Sequence, residues 1–432
     1  MANILILTLV FPPDSVSTAQ IMGELAKDLQ GSGHKVTVLT TSPHYNRDME
    51  AELRQPLHRY WGPILRKSNH AGIEVYHTFM PRKGNSVLLR LLSWIGFHLI
   101  SAIAGMTVIP KPHIIIAPSP PLTIGLCAWI LGKFHHASYI YNVQEIYPDI
   151  AIRLGALRNK YLIGLLLRLE RFVYKKASGI AVIAPRMRNS LLRKGVPADK
   201  VKVIPNFVDI DDLRPLEKDN DFSRQHGIHN KFVISYAGNV GPAQGLDRFI
   251  DVAVLLQKEP DIHFMMIGNG LLWNNLEQRI AQLSLTNFTC LAYQPYSLMP
   301  KIYAASDICL VPQAPETGCD AIPSKVYRIM ACGRPVLAFT DSNSDLARLI
   351  SSVDCGMVVQ GRSSRVLADI ILRAYKNQDL CRRMGELGRT HVEEHYARKV
   401  VTDRYHDLIR ILTIGDFDAG KRLITQHKLC GK

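Results

Sequence analysis

The sequence predicts an α/β protein built from two doubly wound parallel sheets that follow each other along the chain. In residues 1–205, strands that are apolar throughout alternate with amphipathic helices. A stretch rich in Pro and Asp follows at residues 201–216, and the same alternation restarts at residue 232. Parallel strands that are covered by helices on both faces give this pattern.

The predicted elements run in order through both halves. Strands of the first half are expected within residues 4–10, 31–40, 73–79, 113–121, 137–143 and 179–184. Strands of the second half are expected within residues 232–241, 262–270, 288–293, 308–313, 335–340 and 355–359. The clearest helical periodicity covers residues 21–30, the stretches that begin near residues 246 and 273, and residues 400–412.

This order predicts an N-terminal domain at residues 1–205, a second domain at 206–398, and a C-terminal helix and tail at 399–432. The two domains are expected to face each other. Ligands should then lie at the carboxyl ends of the strands, in the cleft between the domains. The sequence leaves open whether the last helix packs back on the first domain.

Positive charge is concentrated in the first half. Residues 1–205 contain 25 Lys and Arg against 11 Asp and Glu, whereas the remaining residues contain 27 against 26. A one-sided basic surface indicates an anionic partner, either membrane lipid or nucleic acid. Nucleic acid is the weaker alternative, because the basic residues are not interleaved with aromatic residues in a recognisable module. We therefore predict an anionic membrane surface and no nucleic acid.

Cysteine usage and the N-terminus both predict a cytoplasmic protein. The eight cysteines form no CxxC pair and no metal-binding spacing, and most of them lie in apolar runs. Buried thiols in a reducing compartment are the expected state. The opening MANILILTLVFPP lacks a basic n-region, so it is read as a first strand and not as a signal peptide.

The apolar segment at residues 87–109 raises the question of membrane contact. Spanning is disfavoured, because the segment contains Arg90 and His98 and runs directly into a predicted strand. A plain core helix and a helix dipping into one leaflet both remain open. Trp94 and Phe97 are typical of interfacial anchors, and the later helix YLIGLLLRLERFVYKK combines apolar and basic residues. We expect a peripheral protein on the inner face of the plasma membrane.

Three loops at strand ends have the composition of anion or sugar sites. The first, at residues 12–18, offers Ser15, Ser17 and Thr18 to an anion or to sugar hydroxyls, and the alternative is a simple tight connection. The other two are AGNVGPAQG at residues 237–245 and IGNG at residues 267–270. Their glycines permit close backbone approach and predict a nucleotide-sized groove; they are Gly238, Gly241, Gly268 and Gly270.

The stretch DAIPSKVYRIMACGRPVLAF places Ser324 and Lys325 where a turn opens a helix. A lysine is disfavoured at a helix N-terminus, because the helix dipole already supplies positive potential there. A strongly anionic ligand such as a diphosphate would explain the placement. The alternative is a solvated surface charge.

Seven motifs in order give the chain a family resemblance. They are FPPDSVSTAQIMGELAKDLQGSGHKVTVLT, APSPPLTIGLCAWIL, VQEIYPD, VIPNFVD, YAGNVGPAQGLDRFI, YQPYSLMPKIYAASDICLVPQ and PSKVYRIMACGRPVLA. Through them the chain resembles the family 4 glycosyltransferases, which have the GT-B fold of two facing Rossmann-like domains. Within that family it is similar to the exopolysaccharide enzymes of the colanic-acid and O-antigen type.

The resemblance implies transfer of a sugar, with retention, from a UDP- or GDP-linked sugar to a polyprenyl-diphosphate-linked saccharide. It also implies that no metal and no cofactor is needed, since side chains, amides and a helix dipole would neutralise the diphosphate. Two alternatives remain open. One is a sugar-nucleotide epimerase of the same fold, and the other is a catalytically silent subunit docked on the membrane.

The sequence departs from the family pattern at the donor site. Many relatives carry an arginine and a lysine in the second domain's glycine loop, where this chain has Asn239 and Gln244. Many also carry two glutamates eight positions apart, which correspond by spacing to Asp320 and Arg328. We therefore expect Lys325 and Arg328 to take over the diphosphate charge. The alternative is that Arg328 is a surface residue of its helix.

Further candidates follow other strand ends. The family's acidic-Pro-acidic motif corresponds to Glu145 and Asp149, which either handle the acceptor hydroxyl or, for Asp149, cap a helix. His44 is a candidate on the acceptor side. The remaining candidates are Asp320 for catalysis and, for contacts with the donor, Glu316, Tyr293 and Gln294.

Overall fold

The chain divides into two compact units, each built around its own sheet. The computed structural model describes residues 1–14, 16–44, 49–62, 64–80, 87–313, 322–361 and 363–429, without the side chains of residues 87–92, 243 and 414–429. Unit 1 comprises residues 1–205 and 401–432, and unit 2 comprises residues 206–400. Three of the predicted site residues, Ser15, Glu316 and Asp320, lie outside the described residues.

Unit 1 is built on a nine-stranded sheet. Its strands are β1 (Asn3–Leu7), β2 (Lys35–Thr41), β3 (His58–Trp61), β4 (Leu65–His70), β5 (Ile73–Thr78), β6 (Ile114–Pro118), β7 (Ser138–Val143), β8 (Gly179–Val182) and β9 (Val201–Val203). Its helices before residue 206 are α1 (Ser17–Gly31), α2 (Met49–Arg54), α3 (Val87–Thr107), α4 (Ile124–His135), α5 (Asp149–Arg153), α6 (Lys160–Lys176) and α7 (Pro185–Arg193). The strand order is β3-β4-β5-β2-β1-β6-β7-β8-β9.

The parallel part of this sheet runs from β5 to β9, and its strands from β5 to β8 are buried as the apolar runs predict. The edge strand β9 lies in the stretch rich in Pro and Asp, where no strand was predicted, and its Lys202 is exposed. The antiparallel strands β3 and β4 extend the β5 edge, and the sequence analysis missed them. Their sequences, HRYW and LRKSNH, are polar, and β3 is exposed along its whole length. Such edge strands lack the apolar run that identifies a buried strand.

Helix α3 is attached to unit 1 through its side facing α4 and the sheet. Phe97 is fully buried, so its predicted role as an interfacial anchor is wrong. The exposed apolar side chains of this helix are instead Ile95, Leu99 and Ile103, which recur every four residues and therefore share one face. Among the described residues, no helix combines the length and the apolar character needed to cross a bilayer.

Unit 2 is built on a six-stranded parallel sheet. Its strands are β10 (Phe232–Asn239), β11 (Ile262–Asn269), β12 (Phe288–Leu291), β13 (Ile308–Pro312), β14 (Val336–Phe339) and β15 (Gly356–Val359). Its helices are α8 (Asp221–Gln225), α9 (Asp247–Leu255), α10 (Trp273–Gln282), α11 (Met299–Ala304), α12 (Lys325–Ala331), α13 (Asp345–Val353), α14 (Ser364–Lys376) and α15 (Gln378–His395).

The strand order of unit 2 is β12-β11-β10-β13-β14-β15, so the direction of winding reverses between β10 and β13. Doubly wound sheets bind ligands at such a switch point, beside the loops that follow the carboxyl ends of the two strands. The first of these loops is the predicted glycine loop, and the second leads to α12. This topology confirms the predicted α/β class of two doubly wound units.

The two glycine motifs of unit 2 lie side by side in the sheet. Gly238 and Gly268 are register partners at the ends of β10 and β11, and both have positive φ. A Cβ on Gly268 would lie 1.9 Å from the carbonyl oxygen of Gly238, and one on Gly270 would lie 2.3 Å from that of Val240. Gly268 and Gly270 are therefore required by contacts between strands and loops within unit 2, whether or not a ligand approaches them.

The long C-terminal helix α16 (Arg398–Leu429) extends well beyond the predicted 400–412. From residue 401 onward it belongs to unit 1. The buried Asn142 at the end of β7 donates a hydrogen bond to the hydroxyl of Tyr405 (2.7 Å). Leu408 and Leu412 pack against the site of Gly179 in β8, where a Cβ would meet them at 3.4 and 3.1 Å.

The strand contact at Gly268 gives a stability prediction. Gly268→Ala should lower the stability of unit 2 by about 2–4 kcal/mol, because the new Cβ meets a backbone oxygen and the residue holds a φ of +154°. Urea unfolding followed by circular dichroism measures the change. Gly31→Ala is the control, since no atom lies within 4 Å of its Cβ position. Equal effects of the two substitutions would contradict the prediction.

Candidate active site

The crevice between β10 and β13 contains a cavity of ≈ 320 Å³. One wall is the loop after β10 with the start of α9, and the other is formed by the ends of β13, β14 and β15. Phe339 supplies an aromatic surface, and Gln313, Thr340 and Asp341 supply polar groups. A cavity of this size with mixed walls suits a small polar ligand such as part of a nucleotide sugar.

Lys325 is the cation closest to the predicted glycine loop. Its Nζ lies 4.2 Å from the centroid of the Tyr236 ring, and a Cβ on Gly238 would come within 2.6 Å of that nitrogen. Burial, together with the nearby guanidinium of Arg328, lowers the pKa of the Lys325 ammonium to about 7. Within the described part of the chain, no carboxylate pairs with Lys325. The ammonium is therefore held, without a counter-charge from those residues, beside the glycine loop.

Arg328 lies one turn further along α12, and its guanidinium stacks over the ring of Tyr296 at 5.3 Å. Its charge acts on Lys325 by repulsion. Ser324 occupies the N-cap position of α12. Because α12 has only seven residues, its dipole is a weaker source of potential than the sequence analysis assumed.

The two neutral residues at the family clamp positions have local roles. The Oε1 of Gln244 accepts a hydrogen bond from the backbone N–H of Gly241 (3.0 Å), which closes the 3-10 turn Pro242–Gln244. The side chain of Asn239 is exposed at the end of β10, and the backbone carbonyl oxygen of Asn239 accepts from the hydroxyl of Tyr236 (2.5 Å). Both residues shape the loop, and neither supplies a charge.

Arg248 supplies a cation to the same cavity, and the sequence analysis missed it. It lies four residues after Gln244, in the first turn of α9, and its guanidinium is 5.5 Å from the centroid of the Phe339 ring. The available signal was a basic residue in the first turn of the helix that follows the glycine loop. The predicted Tyr293 and Gln294 instead follow the edge strand β12; Tyr293 is exposed and Gln294 donates to Ala292.

In unit 1, the loops after β1 and β2 are joined through His44 and Asp14. The backbone N–H of His44 donates to Oδ1 of Asp14 (3.1 Å), and its Nδ1 lies 3.0 Å from the Thr41 hydroxyl. That hydroxyl donates its hydrogen to the carbonyl of Leu9 (2.8 Å), so it accepts from His44. We therefore assign the ring hydrogen of His44 to Nδ1. This nitrogen also lies 3.2 Å from the carbonyl oxygen of Ser42, which can only accept a hydrogen bond.

The remaining predicted residues of unit 1 fall into two places. Ser17 and Thr18 are half-buried in the first turn of α1. The Asp149 carboxylate, at the start of α5, pairs with Lys194 (2.9 Å), which also pairs with Glu170 (2.5 Å). Thus the Asp149 carboxylate belongs to an ion-pair network. The predicted capping role is wrong, because Pro148 is the N-cap residue of α5.

Glu145 follows the end of β7. Partial burial raises the pKa of the Glu145 carboxyl, and a hydrogen bond with Tyr147 opposes this shift. The side chain remains accessible to solvent. A carboxylate with a raised pKa is the better proton acceptor of the two acidic candidates. In the part of the chain that the structure describes, no three His, Cys, Asp or Glu side chains are grouped to hold a metal ion.

Two family models together match most of the chain. Residues 18–206 match the glycosyl transferase 4-like domain, and residues 218–391 match the glycosyl transferases group 1. The first match ends one residue beyond unit 1's N-terminal segment, and the second lies within unit 2.

Related proteins match the full length of the chain. WcaI of Escherichia coli, which is named as a colanic acid biosynthesis glycosyl transferase, is 27% identical over 93% of this chain and 99% of its own. The structure of HepE from Anabaena with UDP-glucose aligns with a TM-score of 0.71 at 16% identity, over 95% of this chain and 100% of its own. WaaG, a glycosyltransferase of lipopolysaccharide biosynthesis, aligns with a TM-score of 0.67 at 14% identity, over 94% and 99%.

The buried ammonium gives a pH-dependent stability prediction. The pKa of Lys325 falls from 10.5 in the unfolded chain to about 7 in the folded chain, so charging it opposes folding. The cost is full below pH 7 and vanishes above pH 10.5. Each pKa unit corresponds to about 1.4 kcal/mol, so the upper limit is about 5 kcal/mol, and partial solvent access reduces it to about 2 kcal/mol.

Lys325→Met should therefore stabilise the free protein near pH 7, and its advantage should shrink as the pH rises toward 10.5. Urea midpoints at several pH values measure this difference. Lys258→Met, at an exposed position of unit 2, is the matched control and should change the midpoint little at any pH. A destabilising effect of Lys325→Met at every pH would contradict the assignment.

Proposed function

The chain belongs to the glycosyltransferases that join a 4-like domain to a group 1 domain in the GT-B fold, and we propose that it extends a polyprenyl-diphosphate-linked saccharide. The donor is a UDP- or GDP-linked sugar, and the anomeric configuration is retained. The reaction serves exopolysaccharide or O-antigen synthesis at the cytoplasmic face of the plasma membrane. The match to WcaI over nearly its whole length supports the pathway, and the UDP-glucose bound to HepE supports the donor class.

The observation that carries the proposal is the ammonium of Lys325 at the switch point of unit 2, which pairs with no carboxylate of the described residues. A lysine kept beside a backbone turn at a cost in stability is explained by a ligand that supplies negative charge. A diphosphate does so, and the crevice at β10 and β13 is where such folds bind nucleotides. Arg248 lines the cavity that follows the same glycine loop, so it supplies a positive charge near the neutral Gln244.

The chemistry requires these cations at the leaving group. When the bond between the anomeric carbon and the β-phosphate oxygen breaks, the nucleoside diphosphate leaves with the electron pair. Fixed positive charge near the developing anion lowers the barrier without reorganisation. The acceptor oxygen forms the new bond to the anomeric carbon, and its proton passes to the carboxylate of Glu145. Asp149 is less suited to that step, because Lys194 already holds its charge.

Unit 1 supplies the surface for the lipid-linked acceptor. Ile95, Leu99 and Ile103 of α3 are each more than half exposed along one face. Helix α6 exposes Tyr161 and Leu165 near its start, and basic residues follow them toward its end. Exposed apolar side chains combined with basic ones are typical of helices that lie on anionic membranes.

Donor binding should take up protons. Because the free Lys325 is only partly protonated near pH 7, a bound diphosphate raises its pKa and draws a proton from the buffer. Above pH 7 the dissociation constant of UDP or GDP should therefore rise by up to about tenfold per pH unit. Isothermal titration in buffers of different ionisation enthalpy measures the uptake.

Lys325→Met should abolish proton uptake and weaken nucleotide binding at pH 7, by about 2–3 kcal/mol for a charge-assisted contact. Lys258→Met again serves as the control and should bind as the wild type does. Unchanged nucleotide affinity and uptake in Lys325→Met would exclude a donor role for this residue.

Transfer itself is tested with a panel of nucleotide sugars and a polyprenyl-diphosphate saccharide. Nucleoside diphosphate release that depends on the lipid acceptor supports the proposal, whereas an epimerised nucleotide sugar would favour the epimerase alternative. Glu145→Gln should lower kcat by about 10²–10⁴-fold with little change in donor affinity. Asp149→Asn is the matched comparison and should affect stability more than kcat.

Membrane contact is tested by introducing charge into the α3 face. Leu99→Glu with Ile103→Glu should reduce sedimentation with anionic vesicles by at least about tenfold, since burial of two aliphatic side chains is lost. Leu255→Glu, at an exposed apolar position in unit 2, is the control. Unchanged vesicle binding by the double variant would show that α3 does not contact lipid.

A further inference from the structure

A second cavity, of ≈ 310 Å³, lies in unit 1 at the amino end of β7. It is bounded by the end of α4 and the end of α6, and we call it the amino-end cavity. Three lysines line it, Lys133 from α4 with Lys175 and Lys176 from α6. Glu145 follows the opposite, carboxyl end of the same strand, so the cavity is separate from the candidate acceptor residues.

The three lysines are not needed to complete the two helix ends. The carbonyl of Gly132 accepts from the N–H of Ala137 (2.8 Å), which closes α4. Lys200 donates to the carbonyls of Lys175 (3.1 Å) and Ala177 (3.0 Å) at the end of α6. Carbonyls at both helix ends are therefore already partnered without the side chains of these three lysines.

The positive charge of the cavity is also uncompensated. Among the residues described by the structure, no carboxylate forms an ion pair with Lys133, Lys175 or Lys176. The ammonium of Lys176 lies 5.9 Å from the ring centroid of Phe172, on the cavity's aromatic side. Three cations around one concavity repel one another, and an anion placed among them would remove that repulsion.

A hydrogen-bond donor is left over in the same wall. Trp129 lines the cavity, and its ring meets that of Phe172 edge to face at 5.0 Å. The indole Nε1–H of Trp129 is buried and has no acceptor among the described residues. A buried donor without a partner costs free energy comparable to a lost hydrogen bond, and a ligand oxygen would satisfy it.

We propose that the amino-end cavity binds a phosphate ester, with the three lysines supplying charge and Trp129 supplying a hydrogen bond. Its volume is large enough for a phosphate with a glycerol-sized substituent. The ligand chemistry is shared by an anionic phospholipid headgroup and by a free phosphate ester, and the experiment separates these sources. The headgroup arm rests on the membrane contact proposed for unit 1 and deepens it, because it assigns Lys175 and Lys176 to one phosphate group. Phosphate binding here requires neither the sugar donor nor the acceptor.

The test uses the full chain and two ligand arms. In the first arm, glycerol 3-phosphate is titrated at constant ionic strength while tryptophan emission is recorded. In the second, the protein is sedimented with phosphatidylcholine vesicles with and without phosphatidylglycerol. Binding in either arm that depends on the cavity residues supports the site. A response to vesicles alone identifies the headgroup as the source, and a response to the soluble ester alone identifies a free metabolite.

Combined Lys133→Gln, Lys175→Gln and Lys176→Gln should weaken binding at least about tenfold in the responding arm, since each lysine near an anionic surface contributes severalfold. Trp129→Phe keeps the ring and removes the N–H, so it should weaken binding and abolish the emission change. A matched control removes three exposed cations from unit 2, by Lys258→Gln, Arg373→Gln and Lys376→Gln, and should leave binding within about twofold.

Two outcomes would overturn the proposal. One is the absence of saturable binding in both arms, and the other is an equal loss in the cavity variant and the unit 2 control, which would indicate unspecific attraction. Nucleotide affinity, measured on the same variants, keeps this result separate from the transfer reaction. Loss of phosphate binding with unchanged nucleotide affinity affects only the amino-end cavity.

Discussion

The packing of the Lys325 ammonium against the backbone of Gly238 is the interaction on which the function we propose for unit 2 depends. Lys325 reaches Gly238 only because β10 and β13 are neighbours and Gly238 has no side chain. The ring of Tyr236 packs against the ammonium, and its hydroxyl donates a hydrogen bond to the backbone carbonyl of Asn239 at the end of β10. The arrangement lowers the pKa of Lys325, so part of the folding free energy is given up and recovered when an anion binds.

The two units also differ in how their charge is distributed. Unit 2 is nearly neutral overall, and two of its cations lie on either side of the glycine loop, Lys325 beside Gly238 and Arg248 in the cavity lined by Gln244 and Gly245. Unit 1 has the large basic excess and spreads it over helices that also expose apolar side chains. A soluble nucleotide sugar is captured by a few fixed charges, whereas a membrane surface is held by many weak contacts. The two patterns suit a reaction between a soluble donor and a lipid-linked acceptor.

Particular residues show how far sequence reasoning could reach in this chain. The apolar strands and the glycine loop were predictable, because a strand covered on both faces is apolar throughout. Lys325 was found because a cation at a helix start is unusual. Arg248 was missed, since the motif compares fixed positions and a helix turn can supply the same charge from four residues away. Asp14 was missed because its partner His44 lies on another loop, and Phe97 was misread because periodicity alone does not say which face is buried.

The sequence by itself determined the α/β class, the order of the strands along the chain, the basic first half and the family of the protein. These depend on local composition and on motifs that are contiguous in the chain. Only the tertiary structure decided which cations share a crevice, which carboxylate is already paired, and which helix face is left to solvent. Those properties depend on strand order and on contacts between residues far apart in sequence. Composition and local motifs do not specify which of these residues lie close together in space.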